Sequence, residues 1–260
     1  MTRSRRFTGR AAMAALAACV YFFVTAGPVF ALPPGLVSAW SGNGNSLDAT
    51  GSNNATFTGS YVTGYNGQQA FAFNGTTTQF TASANGFPTG SADRTISLWV
   101  NVNTLTYPYY NSTVIFGYGS HQANTHTDFL LQTYGNQWMF NNNGVGLWGP
   151  TLSVNTWYYV AIVQSSNTQL MYINGTLVTT GNLSVNTPAS GTAAGYYTDP
   201  PYTTFYMNGE LQDIHVYNQA LTATQVSTDM QLGLLPEPPA TPLITLAFLL
   251  AVMSDRRRKA

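Results

Sequence analysis

The chain has 260 residues, of which 44% are hydrophobic, 13% aromatic and 7% charged, with a single cysteine. So low a charge excludes a disordered chain held open by self-repulsion, and the length allows one large domain or two small ones. The zero formal net charge hides an uneven distribution: between Leu32 and Leu235 one cation, Arg94, stands against Asp48, Asp93, Asp128, Asp199, Glu210, Asp213 and Asp229, which leaves this body at −6 and excludes a nucleic-acid binder, since nothing there neutralises a run of phosphates.

Residues 1–31 read as a secretory signal peptide. Arg3, Arg5, Arg6 and Arg10 precede an apolar stretch from Ala11 to Val24, and Val29-Phe30-Ala31 puts small residues at −3 and −1 of a signal-peptidase site. Leu16-Ala17-Ala18-Cys19 also fits a lipoprotein box, but Val20-Tyr21-Phe22-Phe23-Val24 continues the apolar run past the cysteine. Cleavage after Ala31 leaves a mature protein without cysteine, held by its core alone.

Residues 32–235 read as one all-β domain. Seven Asn-Gly dipeptides, at Asn43, Asn66, Asn74, Asn85, Asn143, Asn174 and Asn208, mark tight reversals, because both residues accept positive φ. Strand candidates in chain order are Val37–Trp40, Ala55–Gly59, Ala70–Phe73, Gln79–Ala82, Thr95–Val102, Thr113–Gly117, the hairpin Phe129–Tyr134/Gln137–Asn141, Trp157–Gln164, the hairpin Gln169–Ile173/Thr176–Thr180 and Glu210–Tyr217. A dozen short strands with frequent turns make a two-sheet antiparallel sandwich or jelly roll. In Thr95–Val102 the alternation puts Ile96, Leu98, Val100 and Val102 on a core face and Thr95, Ser97, Trp99 and Asn101 on the other. Trp99 then either packs under a neighbouring strand or loop, or floors a ligand groove. Thr222 and Gln225 form a capping box for one short helix, with Leu221, Val226 and Met230 as its buried edge.

Three segments carry a family resemblance. They are Leu36–Trp40 with Asp48–Asn54 and Ala70–Gly75; Thr95–Val100; and Trp157–Ala161 with Leu170–Gly175 and Gly209–Leu221. Together they resemble the laminin-G-type branch of the concanavalin A-like lectins. The resemblance implies two stacked, curved antiparallel sheets with the first and last strands adjacent. It also implies sugar or protein binding and, in several members, a calcium ion. The fold hosts glycosidases as well, so function rests on the residues.

A sugar-cleaving pair needs two carboxyls about 5–10 Å apart over one cleft. The body's one Glu, Glu210, has Asp213 three residues on, which strand alternation would turn to the opposite face. The alternating acidic strand of the family's glycosidases has no counterpart here, so no catalytic residue is assigned. His121, His126 and Asp128 are the one His-rich cluster, read as a polar loop before a strand. Calcium is the better candidate ion. Asp48 heads an oxygen-rich loop, and the resemblance places it beside Gln212 and Asp213, where members often have an acidic pair. The plainer reading is that Asp48 and its Asn neighbours form Asx turns. For a glycan ligand the candidates are Tyr109 and Tyr110, Trp148 in a Gly-rich loop, and Tyr197 and Tyr202 in a Tyr- and Pro-rich loop, because flat rings cover the apolar face of a sugar.

The tail at 236–260 has three parts in order. Pro236-Glu237-Pro238 is followed by an apolar run from Leu243 to Met253 and then by Arg256-Arg257-Arg258-Lys259. It reads either as a permanent hydrophobic-helix anchor with its basic end on the cytoplasmic side, or, by resemblance, as the PEP-CTERM sorting tail of certain Gram-negative bacteria, which an exosortase removes. The whole then reads as a non-catalytic module exported through the inner membrane, processed by signal peptidase and exosortase. It would bind glycan or matrix polymer at the cell surface or in the extracellular polysaccharide matrix of a bacterium. The alternatives are a purely structural biofilm protein or a glycoside hydrolase.

Overall fold

The structure, a computed structural model, describes residues 32–105, 111–120, 125–142, 145–199 and 203–232, with backbone alone at 197–199 and 203–204. The signal peptide and the tail expected from the sequence lie outside these residues. In chain order the strands are β1 Leu36–Trp40, β2 Thr56–Phe57, β3 Ser60–Thr63, β4 Gln69–Asn74, β5 Phe80–Ala82, β6 Arg94–Val102, β7 Ser112–Gly119, β8 Asp128–Tyr134, β9 Gln137–Asn141, β10 Gly146–Thr151, β11 Trp157–Ser165, β12 Thr168–Ile173, β13 Thr176–Asn182, β14 Thr192–Ala194, β15 Tyr196–Asp199, β16 Thr203–Tyr206 and β17 Asn208–Tyr217. Helix α1, Ala223–Leu232, follows. Among the described residues no helix is long and apolar enough to cross a membrane.

Two antiparallel sheets form the sandwich. The eight-stranded sheet runs β13-β12-β11-β6-β17-β4-β3, with β1 also paired to β17. The seven-stranded sheet runs β10-β9-β8-β7-β14-β5-β2, and β15-β16 form a separate ribbon beside β7. The long strand β17 has β6 along one side. Its first half meets β4 and its second half meets β1, with Leu36 opposite Tyr217. First and last strands are thus adjacent, as the resemblance implied.

Alternation explains the core. Ile96, Leu98, Val100 and Val102 of β6 point inward, against Phe116, Phe129, Leu131 and Phe140 of the other sheet. Trp40 is fully buried between Phe80 (ring centroids 5.5 Å apart) and Phe116 (5.9 Å), and its indole N–H donates to the Asn53 carbonyl. The turn Asn174-Gly175 closes β12 onto β13 with both residues at positive φ, 50° and 77°. Asn208-Gly209 is no reversal. It opens β17, where a Cβ on Gly209 would stand 2.2 Å from the Asn101 carbonyl oxygen.

The middle of the outer face of the eight-stranded sheet is covered. Helix α1 lies over Tyr159, Ala161, Val163 and Tyr217. It starts at the expected capping box: Thr222 N–H donates to Gln225 Oε1 (2.9 Å) and Gln225 N–H to Thr222 Oγ1 (3.3 Å). Trp99 is stacked under Tyr65 with ring centroids 4.0 Å apart, so it packs beneath a turn and floors no groove. Arg94 is 0% exposed. Its guanidinium donates to the carbonyls of Pro88, Thr89, Gly90 and Ala92 and to the Tyr118 hydroxyl, and it lies 5.2 Å from the Phe129 ring centroid. Burial pulls the Arg94 pKa down against these contacts. Burial pushes the Tyr118 phenol up to about 12 despite the neighbouring cation.

Candidate functional site

Strand period and one bulge set out the outer face of the seven-stranded sheet. The register shifts between Val114 and Phe116, so Ser112, Val114 and Gly117 of β7 all face outward. Beside them stand Asp128, Leu130, Gln132 and Tyr134 of β8, Gln137, Met139 and Asn141 of β9, and Gly146 and Trp148 of β10. Trp148, Met139, Gln132 and Val114 form one row across four strands. Tyr134 of β8 and Trp148 of β10 meet across β9. Their ring centroids are 5.3 Å apart and the planes meet at 85°. Trp148 is 45% exposed and Tyr134 37% exposed, so this aromatic corner faces solvent.

The polar groups beside the corner are held in place. Asn141 Nδ2 donates to Gln132 Oε1 (3.1 Å), and Gln132 Nε2 donates to Ser112 Oγ (3.4 Å) and Met139 Sδ (3.4 Å). Gly146 leaves room for the Met139 side chain to lie across the neighbouring strand, its Cε 1.9 Å from where a Cβ would stand. Two flat rings beside a bridged amide row can cover a sugar's apolar face and exchange hydrogen bonds with its hydroxyls.

Of the ring residues singled out in the sequence, Trp148 is thus placed, but on strand β10 and not in a loop. Tyr109, Tyr110 and Tyr202 lie outside the described residues. Tyr197 belongs to β15, paired with Phe205 of β16, so that part of the Tyr- and Pro-rich segment is a strand ribbon. Tyr134, Gln132 and Asn141 were missed, although the alternation in the hairpin 129–134/137–141 already set them on one face.

The calcium candidates do not fit the ion. Asp48 Oδ1 accepts from the Ala39 N–H (2.8 Å) and Thr50 N–H (3.0 Å). Its Oδ2 accepts from Ser38 Oγ, Thr50 Oγ1, Ser52 N–H and Asn53 N–H. Burial alone would raise its pKa, but the hydrogen bonds from Thr50, Ala39 and Asn53 outweigh it and hold the carboxyl below its usual range. Six hydrogens already point where a cation would have to bind. Gln212 is engaged elsewhere: its Oε1 accepts from the Tyr65 N–H (2.9 Å) and its Nε2 donates to Asp213 Oδ2 (3.0 Å). Among the described residues no three His, Cys, Asp or Glu side chains gather as a metal site; His121 is outside them. The unfolding midpoint is therefore expected to agree within about 1 °C in millimolar calcium and in chelator. Calorimetry checks this, and a rise of several degrees with calcium would restore the ion.

The acids of β17 are hydrogen-bonded as well. Glu210 accepts from Asn101 Nδ2 and Asn103 Nδ2, both at 2.9 Å, on the outer face of the eight-stranded sheet, away from Trp148. Asp213 is not on the face opposite Glu210, as strand alternation predicts. The register shifts between Gln212 and His215, Asp213 takes φ 49°, and its carboxylate joins the Gln212 amide on the outer side.

Ser97, His215 and Asp229 have the residue types of a hydrolase triad, but their contacts converge differently. Asp229, 1% exposed on α1, accepts from Ser97 Oγ (2.5 Å), Tyr159 OH (2.7 Å), Tyr217 OH (2.5 Å) and His215 Nδ1 (2.8 Å). Serine and histidine both spend their contact on the carboxylate, and Ser97 is buried. The group is a clasp between helix and sheet, missed in the sequence although Asp229 follows Val226 by three residues on the helix's inner edge. Burial would raise the Asp229 pKa, but the His215 charge and the hydrogen bonds from His215, Ser97 and Tyr217 pull it down to about 2. Burial would lower that of His215, but Asp229, with Asp213 beyond, carries it above 6.5.

The clasp predicts a stability window. The depressed Asp229 contributes fully above the unfolded value near 3.8 and loses its contribution as pH falls towards about 2. The raised His215 contributes fully below 6.5 and loses its contribution as pH rises through its folded value. Thermal unfolding is expected to peak near about pH 5. A His215→Gln variant should lose the alkaline decline, and a wild-type midpoint still rising above about pH 7 would refute the assignment.

The fold is shared widely. Domain 4 of AbnA, a GH43 extracellular arabinanase from Geobacillus stearothermophilus, in complex with arabinotriose, superposes with TM-score 0.59 at 22% identity, covering 75% of this chain and 98% of that one. The botulinum neurotoxin serotype G binding domain gives 0.56 at 17% identity, covering 76% and 51%. Trypanosoma rangeli sialidase in complex with the inhibitor DANA gives 0.56 at 17% identity, covering 76% and 33%, so the chain spans about half of the toxin domain and a third of the sialidase. No curated protein matches in sequence. The Laminin_G_3 family model, described as the concanavalin A-like lectin/glucanases superfamily, matches residues 74–227. That stretch is more than half of the chain, and with two stacked antiparallel sheets around it the protein belongs to the Laminin_G_3 family of concanavalin A-like lectin/glucanase domains.

Proposed function

We propose that the protein is a non-catalytic glycan-binding module, with its ligand lying across the outer face of the seven-stranded sheet against Trp148 and Tyr134. The observation that carries this reading is the solvent-facing aromatic pair beside the bridged row Asn141–Gln132–Ser112. The arabinotriose held by the similar arabinanase domain adds weight. The non-catalytic part rests on Glu210 pinned between two amides and on the clasp in which Ser97 faces no base. The basic-apolar start and the Pro-Glu-Pro tail support export, with signal peptidase and an exosortase as processing enzymes and delivery to the cell surface or its polysaccharide matrix.

Retention of the full-length protein on immobilised polysaccharides tests the reading, with Trp148→Ala as the comparison. Wild-type retention lost in the variant supports it. Equal retention of both moves the ligand away from this face. Retention of neither on any polymer removes the lectin reading and favours a structural matrix role.

A further inference from the structure

Resting on that glycan-binding reading, we infer that the site takes uncharged glycans and rejects those carrying carboxylates or sulfates. Between residues 32 and 235 the chain has one Lys or Arg, and the structure puts it where no ligand reaches. Arg94 is 0% exposed, and its N–H groups are spent on the carbonyls of Pro88, Thr89, Gly90 and Ala92 and on the Tyr118 hydroxyl. His215 is tied to Asp229 under α1. Among the described residues the candidate face therefore offers a ligand no Lys or Arg, and its amides, hydroxyls and rings make the contacts.

The chemistry follows from what those groups return. A sugar hydroxyl exchanges its water hydrogen bonds for those of the half-buried Asn141 and Ser112, which Gln132 holds from beneath, without leaving a charge uncompensated. A uronate or sialate carboxylate laid there gives up its hydration and finds no guanidinium or ammonium to replace it. Two further features oppose an anion. The Trp148 and Tyr134 ring faces carry the negative lobe of the π quadrupole. The body's formal charge of −6 acts the same way. Selection here works by what the surface withholds as much as by what it offers.

A polymer whose charge can be switched on one backbone tests this. Retention of the full-length protein is measured on fully methyl-esterified polygalacturonate and on its de-esterified form, with linear arabinan and alginate as a second neutral and acidic pair. Each run uses wild type and Trp148→Ala, with chelator present, at a pH near 8, where an ordinary imidazole is uncharged. The quantity read is the Trp148-dependent part, which discounts the basic residues at both chain ends. Expected is Trp148-dependent retention on a neutral polymer that is at least about tenfold stronger than on an acidic one and changes less than about twofold between 0.1 and 1 M salt. Trp148-dependent retention that is strongest on an acidic polymer, or that falls about tenfold with salt, overturns the inference and leaves glycan binding standing. No Trp148-dependent retention on any polymer overturns the inference together with the placement of the ligand on this face.

Discussion

Replacing Asp229 by alanine is expected to lower the unfolding free energy by about 3–5 kcal/mol, the range for removing one partner of a buried, hydrogen-bonded charge pair. Four side chains on the eight-stranded sheet, Ser97, Tyr159, His215 and Tyr217, donate to that one carboxylate. Alanine leaves all four buried without it, and His215 loses the anion that holds its proton. For a body of roughly 200 residues the loss corresponds to about 6–20 °C in the unfolding midpoint. Asp229→Asn should fall between wild type and alanine, since it keeps one acceptor oxygen and turns an NH2 towards groups that donate. Denaturant titration measures both, and a loss below about 1 kcal/mol for alanine would show that the clasp is incidental to stability.

The second large effect concerns binding. Trp148→Ala should weaken the glycan complex by about 2 kcal/mol, roughly thirtyfold in Kd, the size expected for an aromatic anchor at the centre of a contact. Because Trp148 is 45% exposed and outside the core, the same substitution should change stability by less than about 0.5 kcal/mol. Trp148→Phe, which keeps a flat ring, should recover most of the affinity. Titration calorimetry with the polymer that retains the wild type reads both numbers. A Kd within about threefold of wild type for the alanine variant would mean that the ring does not touch ligand.

Much of the fold was legible because β6 alternates cleanly, Asn174-Gly175 writes its own turn and Thr222/Gln225 writes its own cap. Local rules failed where pairing is decided by distant neighbours. Strand β10 reads as a Gly-rich loop, since its glycines answer to Met139 of β9 and Met171 of β12 and not to turn geometry. The β15–β16 ribbon reads as a loop because tyrosine and proline clusters resemble one. The Asp213 bulge breaks the alternation that sequence reading relies on, and turns its carboxylate to the side of Glu210. At the site the sequence offered Trp148 for its ring. Its partner Tyr134 and the amide row become a site once β8, β9 and β10 stand side by side. Asp229 stayed hidden for the same reason, as its donors come from β6, β11 and β17.

The position of β17 sets the order in which the molecule can assemble. During synthesis β1, β3 and β4 emerge early, yet β1 and β4 both take β17 as a neighbour, and β6 has it along one side. An N-terminal nascent segment can form hairpins, such as β3 with β4 and β12 with β13, but the larger sheet closes when residues 208–217 arrive. Such long-range closure is slow compared with local hairpin formation. The larger sheet thus cannot be completed until nearly the whole body has been made.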